Sequence, residues 1–198
     1  MTQTVVAITA LAQQCAPEVA TEAVVPLVMT ESGGNDLSIN INKGPRVRVR
    51  SVAQGVALVR RYIAAGYTVD VGLAQLNSAN FARLGVTVEQ VFDPCTNLQL
   101  ASSMLQEAYR LASRHYNGLD AISATYSLYN TGTLTRGFRN GYVDRVWSAA
   151  REMGSIQAPR PIQTTPGRAP TAPPAKRYAD ADSWVVGQIA SNAVEVFK

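Results

Sequence analysis

Apolar residues recur every three or four positions through most of residues 1–154, which is the spacing of a buried helix face. The longest such run follows Asp93-Pro94, a capping residue with proline in the first helical position, and continues toward Gly118. The pattern therefore predicts a mainly α domain.

Start and stop signals divide the rest of this region into further helices. Thr87 with Gln90, and Ser51 with Gln54, have the spacing of capping boxes, and glycines follow several of the apolar runs. The predicted helices are an N-terminal one over the first apolar residues, one that ends at Ser32, one from Ser51 to Gly66, short ones at residues 79–84 and from Thr87, the long helix, one capped by Asp120, and a last one at about residues 142–153.

Alternation of apolar and polar residues indicates one small β-hairpin. Ile39 and Ile41 alternate on one predicted arm, Val47 and Val49 alternate on the other, and residues 42–45 form the predicted turn. Residues 70–77 are interpreted as a loop.

The composition changes after Gly154. Residues 155–177 hold most of the prolines and few apolar residues, which is typical of an extended linker. Residues 178–198 regain apolar residues but are too few to bury a core, so this tail is expected to dock on the domain, bind a partner or be a processed remnant. We therefore divide the chain into a domain at 1–154, a linker at 155–177 and a tail at 178–198.

The net charge of +4 and the pI near 9.3 would suit an anionic partner. The densest basic group is Lys43, Arg46, Arg48 and Arg50, which we interpret as a solvated face of the hairpin. Nucleic-acid binding through these residues is not expected, because no aromatic residues for base stacking accompany them. No apolar stretch approaches transmembrane length, and the first apolar residues lack the basic residues of an export signal.

The sequence lacks the residue patterns typical of metal sites and of nucleotide-binding sites. His115 is the one histidine, and it forms no metal-ligand spacing with Cys15 or Cys95, which the sequence leaves open as a disulfide or two thiols. No nucleotide-binding motif occurs. We expect no metal and no cofactor.

Glu31 is the candidate acid. At helical spacing it shares a face with Val24, Leu27 and Val28, and Gly33 follows the helix. Apolar surroundings and the negative end of the helix dipole would both keep a carboxyl group protonated, as a general acid requires. The alternative is an ordinary glutamate that turns out to water.

Three short motifs occur in order along the chain: Glu31-Ser32-Gly33, residues 72–75 (Gly-Leu-Ala-Gln) and residues 129–132 (Tyr-Asn-Thr-Gly). Together they resemble the lytic transglycosylase (SLT) family of lysozyme-like enzymes. The sequence around them, including residues 13–17 and 92–95, is similar to that of the specialised transglycosylases of type IV secretion systems. The resemblance covers about residues 8–153 and implies a goose-type, SLT-like helical fold.

The resemblance implies that Glu31 is the single catalytic acid and base, with Ser32, Gln75 and Tyr129 lining a sugar groove. Asn77, Tyr126 and Asn130 are further substrate-binding candidates, although Asn130 has the alternative of capping its helix. Ala74 departs from the bulkier Met of many relatives, so a roomier groove is expected.

The implied reaction cleaves the bond between N-acetylmuramic acid and N-acetylglucosamine in peptidoglycan and leaves 1,6-anhydro ends, which needs no second carboxylate. Asp36 and Asp70 are the nearest candidates for one, and we interpret them as turn and loop residues. The alternatives are a muramidase that uses water and a wall-binding adaptor without catalysis, in which the linker and tail recruit secretion components.

The family also implies location in the periplasm, a role beside type IV secretion components, and a bridge between Cys15 and Cys95. The apolar residues of the tail, beyond the proline-rich linker, lead us to expect that the tail contacts such a component.

Overall fold

A computed structural model describes residues 2–154 as a helical domain with one small sheet, which confirms the predicted mainly α class. The helices are α1 (Val5–Cys15), α2 (Thr21–Ser32), α3 (Val52–Ala64), α4 (Phe81–Leu84), α5 (Val88–Val91), α6 (Pro94–Ala112), α7 (Gly118–Thr131), α8 (Arg136–Arg139) and α9 (Tyr142–Glu152), and a 3-10 turn covers Ser78–Asn80.

Helix α2 has the predicted buried face. Val24, Leu27 and Val28 are fully buried, and the helix ends at Gly33, which adopts the left-handed conformation with φ 60°. A side chain with a Cβ is disfavoured in this conformation, so glycine is well suited to end the helix immediately after Ser32.

The sheet corrects two predictions. Strand β1 (Ile39–Ile41) pairs antiparallel with β2 (Val69–Val71), and β2 pairs with β3 (Leu76–Asn77). The hairpin predicted between residues 39–41 and 47–49 is therefore wrong, because Val47 and Val49 lie in no strand and β1 takes a partner about thirty residues away. The actual hairpin is β2–β3, within residues that we had interpreted as a loop.

Most of the predicted helix-capping residues are confirmed. The Thr87–Gln90 capping box is complete, and Asp93 caps α6 by accepting from the Thr96 amide at 2.8 Å. Ser51 caps α3, but the Gln54 side chain accepts from the Arg50 amide, so that box is incomplete.

The connection between α6 and α7 differs from the prediction. Helix α6 ends at Ala112, before the expected Gly118, and Gly118 instead begins α7 with φ 54°. Asn117 occupies the capping position, so Asp120 lies in the first turn and is not the cap. An acidic residue there still favours the helix by facing the positive end of its dipole.

Two helix pairs form most of the core. Helix α6 packs against α7, and α9 packs against α2. Trp147 of α9 lies edge-on to Tyr126 of α7, with ring centroids 5.9 Å apart, and its indole N–H donates to Ser123 Oγ at 2.9 Å. These two contacts fix α9 against α7, while the same helix packs against α2.

A disulfide joins Cys15, at the end of α1, to Cys95, in the first turn of α6, with the Cα atoms 5.3 Å apart. The two residues are separated by 80 positions, so the bridge closes a chain segment that includes α2 and the whole sheet.

The predicted linker and tail lie outside the described residues. Within residues 2–154, no helix combines the length and apolar character needed to cross a membrane.

Replacing both cysteines, as Cys15→Ala/Cys95→Ala, should lower the free energy of unfolding by about 2–5 kcal/mol, because the unfolded chain gains the freedom that the bridge removes. Urea unfolding followed by circular dichroism measures this change. Reduction of the wild-type protein should give a similar loss, which separates the bridge from side-chain packing. Alkylation of the unreduced, unfolded protein should leave its mass unchanged; two alkylated thiols would contradict the bridge.

Candidate active site

Glu31 lies in the last turn of α2, next to the residue that ends the helix. The residue is partly exposed, so it can be reached from outside, yet protein atoms surround its carboxyl group closely. Loss of hydration raises the pKa of Glu31 to about 8. The carboxyl group is therefore largely protonated at neutral pH, although the residue is partly exposed.

Tyr142, the first residue of α9, donates a hydrogen bond to Glu31 Oε1 at 2.5 Å. Its side chain is buried, and burial together with the nearby carboxyl group holds the pKa of Tyr142 well above 10, so the phenol keeps its proton. This bond lowers the pKa of Glu31 against the larger effect of burial, because a donor favours the carboxylate. It also fixes the direction of the carboxyl group.

Arg145 lies one turn after Tyr142, with its guanidinium 5.6 Å from the centre of the Tyr142 ring. Its positive charge also lowers the pKa of Glu31, by less than the Tyr142 bond does. Because Arg145 is exposed, solvent weakens this effect.

Asp70 is the second carboxyl group near Glu31, and its negative charge contributes to the raised pKa of Glu31. It is buried in β2, where Asn40 donates to Oδ2 at 2.9 Å and Asn77 donates to Oδ1 at 2.6 Å. Burial raises the pKa of Asp70, while the amide donors oppose that shift. Both oxygens are thus already engaged by the protein.

The turn between β2 and β3 is held by Asn97 of α6. The Asn97 amide nitrogen donates to the carbonyls of Val71 at 3.1 Å and Val91 at 2.9 Å, and its oxygen accepts from the Ala74 amide at 2.8 Å. Gly72 approaches this amide so closely that a Cβ there would clash with it. The Gly-Leu-Ala-Gln motif is therefore a turn fixed by a buried side chain.

Gln75 ends this turn in the left-handed conformation, with φ 50°. Such a backbone is unfavourable for a residue with a Cβ by roughly 1–2 kcal/mol and is maintained by surrounding contacts. Here the Gln75 side-chain nitrogen donates to the carbonyls of Gly72 at 2.9 Å and Ser38 at 3.2 Å. Both donations use the nitrogen, so the side-chain oxygen is the atom that can accept from a sugar.

Tyr129 is buried in α7, and its hydroxyl donates to the Ala74 carbonyl at 2.8 Å. It lies close enough to Glu31 for that carboxyl group to contribute to the raised pKa of Tyr129. The phenol that contacts Glu31 directly is nevertheless Tyr142, while Tyr129 supports the turn before Gln75.

The remaining predicted residues have partners within the protein. Ser32 Oγ donates to the Val28 carbonyl at 3.2 Å and accepts from the Gly34 amide at 3.2 Å. The three others, Asn77, Tyr126 and Asn130, are buried. Asn77 donates to Asp70, and the Tyr126 hydroxyl donates to the Ala23 carbonyl at 3.1 Å. Asn130 Oδ1 accepts from the Asn140 side chain at 3.0 Å.

Tyr142 and Asn97 were not predicted as site residues. Each interrupts an otherwise apolar helix face: Tyr142 shares its side with Val146, and Asn97 shares its side with Ala101. A polar group on a buried face needs a hydrogen-bond partner, and this is the signal that could have identified both residues.

The geometry combines one reachable carboxyl group that holds a proton with a phenol that orients it. Such a group can protonate an oxygen and later, as the carboxylate, accept a proton. Around it, the described residues supply amide and hydroxyl groups, which suit a carbohydrate.

Comparison with known proteins defines the class. Residues 9–146 match the transglycosylase SLT domain family, and the chain belongs to this family. It is accordingly a lysozyme-like lytic transglycosylase that acts on peptidoglycan, as the sequence motifs predicted.

Among its relatives, the type IV secretion system protein VirB1 of Brucella suis biovar 1 is 35% identical over 182 residues, which cover 87% of this chain and 76% of the relative. The VirB1 protein of Agrobacterium fabrum is 34% identical over 151 residues, covering 76% of this chain and 62% of the relative. No solved structure matches the chain significantly.

The pKa of Glu31 predicts how stability depends on pH. Folding raises this pKa from 4.5 to about 8, so the folded protein holds a proton that the unfolded chain releases. The free energy of unfolding should therefore fall as pH rises between these values, by at most about 1.4 kcal/mol per pH unit. In Glu31→Gln this contribution should disappear, so the variant should become more stable than wild type toward pH 8.

Urea unfolding across this pH range measures the difference. Glu152→Gln, which removes an exposed carboxylate at the end of α9, is the matched control and should follow the wild type. A constant difference between Glu31→Gln and wild type at every pH would contradict the raised pKa.

Proposed function

We propose that the protein cleaves the bond between N-acetylmuramic acid and N-acetylglucosamine with Glu31 as its single acid and base, and that it leaves 1,6-anhydro ends. The observation that carries the proposal is an accessible carboxyl group whose pKa is raised to about 8 and which Tyr142 orients. Membership of the transglycosylase SLT family supports the reaction class.

In the first step, Glu31 donates its proton to the glycosidic oxygen. The bond from that oxygen to C1 of N-acetylmuramic acid breaks, and the N-acetylglucosamine part leaves as an alcohol. Glu31 is now a carboxylate, and its hydrogen bond from Tyr142 becomes charge-assisted and so stronger. Tyr142 thereby limits the cost of ionising a poorly hydrated acid at the moment when the reaction requires it.

In the second step, the 6-hydroxyl oxygen of the same muramic acid attacks C1. The carboxylate of Glu31 accepts the hydroxyl proton as the new bond between C1 and O6 forms. The acid returns to its protonated form and no water is consumed, so one carboxyl group serves both steps.

We assign Ser32, Gln75 and Tyr129 to the sugar groove around Glu31. The oxygen of the Gln75 side chain is suited to accept from a hydroxyl or N-acetyl N–H group. The bonds of Asn77, Tyr126 and Asn130 within the protein favour support of the groove over direct contact with the substrate.

The alternative of hydrolysis requires a base that activates water. Asp70 is poorly suited to that role, because the protein buries it and occupies both of its oxygens with amide donors. These contacts argue against Asp70 as that base, so hydrolysis would have to use the Glu31 carboxylate on water in place of the 6-hydroxyl. The alternative of a non-catalytic adaptor gives no reason for a partly exposed glutamate that keeps its proton at neutral pH.

We further propose that the enzyme acts in the periplasm and opens the wall locally for a type IV secretion system. The name of the Brucella suis relative, type IV secretion system protein VirB1, supports this role. A disulfide between Cys15 and Cys95 suits an oxidising compartment. Contact with secretion components is assigned to the tail beyond the linker.

Glu31→Gln should reduce the release of fragments from purified peptidoglycan roughly a hundredfold to ten-thousandfold, because an amide cannot supply the proton. Mass spectrometry of the wild-type digest should find anhydro-muramyl ends. Glu152→Gln should behave as the wild type.

Reducing ends in the wild-type digest would contradict the transglycosylase reaction and indicate that water attacks. Absence of products from both proteins, with binding to the wall retained, would instead favour the adaptor.

Tyr142→Phe should move the alkaline limb of the pH–rate profile to higher pH. The Tyr142 bond lowers the pKa of Glu31, so its removal leaves the acid protonated over a wider range. Loss of the orienting bond should also reduce kcat/KM, by about tenfold. The profile is measured on soluble glycan fragments.

Tyr109→Phe, which removes an exposed hydroxyl from α6, is the control and should leave the profile unchanged. A limb that stays in place, or moves to lower pH, in Tyr142→Phe would show that Tyr142 does not act on the ionisation of Glu31.

A further inference from the structure

An open groove lies beside the sheet. It has a volume of about 640 Å³ and is lined by β1 and by the segment that follows it, including Pro45, Arg46, Val47 and Arg48. Val47 is half-buried and packs against the core, while Arg46 and Arg48 on either side of it are exposed. The core thus anchors a segment that presents guanidinium groups.

The groove lies in a strongly cationic part of the chain. No aspartate or glutamate occurs between Asp36 and Asp70, whereas Lys43 and Arg50 flank the two groove arginines. Two salt bridges within residues 2–154 join Arg60 to Glu89 and Arg83 to Glu107, and so engage other arginines. Arg46 and Arg48 are exposed, so anions from outside can reach them.

Strand β1 connects this groove to the candidate active site. The Ser38 carbonyl, immediately before β1, accepts from the Gln75 side chain. Asn40, which lines the groove, donates to Asp70, and the charge of Asp70 acts on Glu31. The cationic groove and the carboxyl group are therefore parts of one continuous region around the sheet.

We infer that this groove binds the carboxylates of the peptide stems that project from the glycan strand being cleaved. The inference rests on the proposed position of the glycan at Glu31. A short peptide extends by about 3.3–3.6 Å per residue, so a few residues would span from a sugar near Gln75 to the groove beyond Ser38. Arginine suits this role, because its planar donor fork matches a carboxylate.

The groove would then distinguish wall that carries its peptides from bare glycan. Its contacts are exposed, so each is worth little alone and is weakened by salt. Repeated stems along the polymer would strengthen binding by keeping further carboxylates close.

The test compares two forms of wall in a pelleting assay with the full chain carrying Glu31→Gln. The first form is intact sacculi. The second is the glycan strands that an amidase frees of their stems, coupled to beads so that they sediment, because removing the stems also removes the cross-links that hold a sacculus together. The test variant adds Arg46→Gln/Arg48→Gln. The control adds Arg110→Gln/Arg114→Gln, which removes the same charge near the end of α6. Circular dichroism checks that all proteins fold.

At low salt, the test variant should bind intact sacculi about three- to tenfold more weakly than its parent, whereas the control should change by less than about twofold. On stem-free glycan, the parent protein and the test variant should bind equally well. An equal loss in the test and control variants would overturn the inference in favour of general charge attraction. The inference would also be overturned if the test variant bound intact sacculi as well as its parent does, or if its binding to stem-free glycan fell by the same factor as its binding to sacculi.

Duplex DNA is the competing anion. Tighter binding to DNA than to sacculi, lost in the same test variant, would overturn the inference in favour of a nucleic-acid site. Failure of the proposed function would be seen separately. The pelleting assay measures how much protein stays on the wall, whereas release of soluble fragments by the Glu31→Gln protein would show that Glu31 is not the catalytic acid.

Discussion

The hydrogen bond from Tyr142 to Glu31 is the contact on which the site depends, because it joins two helices through residues that are 111 positions apart in the chain. It forms only when α9 packs against α2, and that packing buries Val143 and Val146. A buried phenol without a partner would cost free energy, so the same bond that orients the acid also favours the correct position of the last helix. Folding and the arrangement of the acid are therefore coupled.

The turn that carries Gln75 shows a second coupling. Its left-handed backbone is unfavourable on its own, and it is held by Asn97 of α6 and by Tyr129 of α7. Asn97 follows Cys95 in the first turn of α6, so the disulfide to α1 also limits how far this support can move. Gln75 is thus presented on a rigid turn, as a binding group must be if it is to hold a sugar in one orientation.

The elements that could be predicted from the sequence are those decided within a few residues. Gly33 ends α2 and Asp93 begins α6, because the capping groups and the backbone that they satisfy are adjacent. Glu31 could be singled out because helical spacing placed it on an apolar face.

Features decided at long range were missed. The alternation at Val47 and Val49 resembles a strand, but β1 pairs with β2, which the local pattern cannot reveal. Tyr142 looks like a core residue of its helix until α9 is placed against α2. The contacts that define the site are chosen by packing between elements, so sequence periodicity could find the acid but not its partner.

The separation of charges in the domain has a physical logic. A proton-bearing acid and an acidic substrate make opposite demands, because cations close to Glu31 would attract the substrate but would also lower the pKa of the acid. Among the described residues, Arg145 is the one cation whose charge acts appreciably on Glu31, and it is exposed to solvent. Arg46 and Arg48 line the groove beside β1 and are exposed, so water screens their charges. A domain that places its cations there can attract carboxylates and still keep its acid protonated.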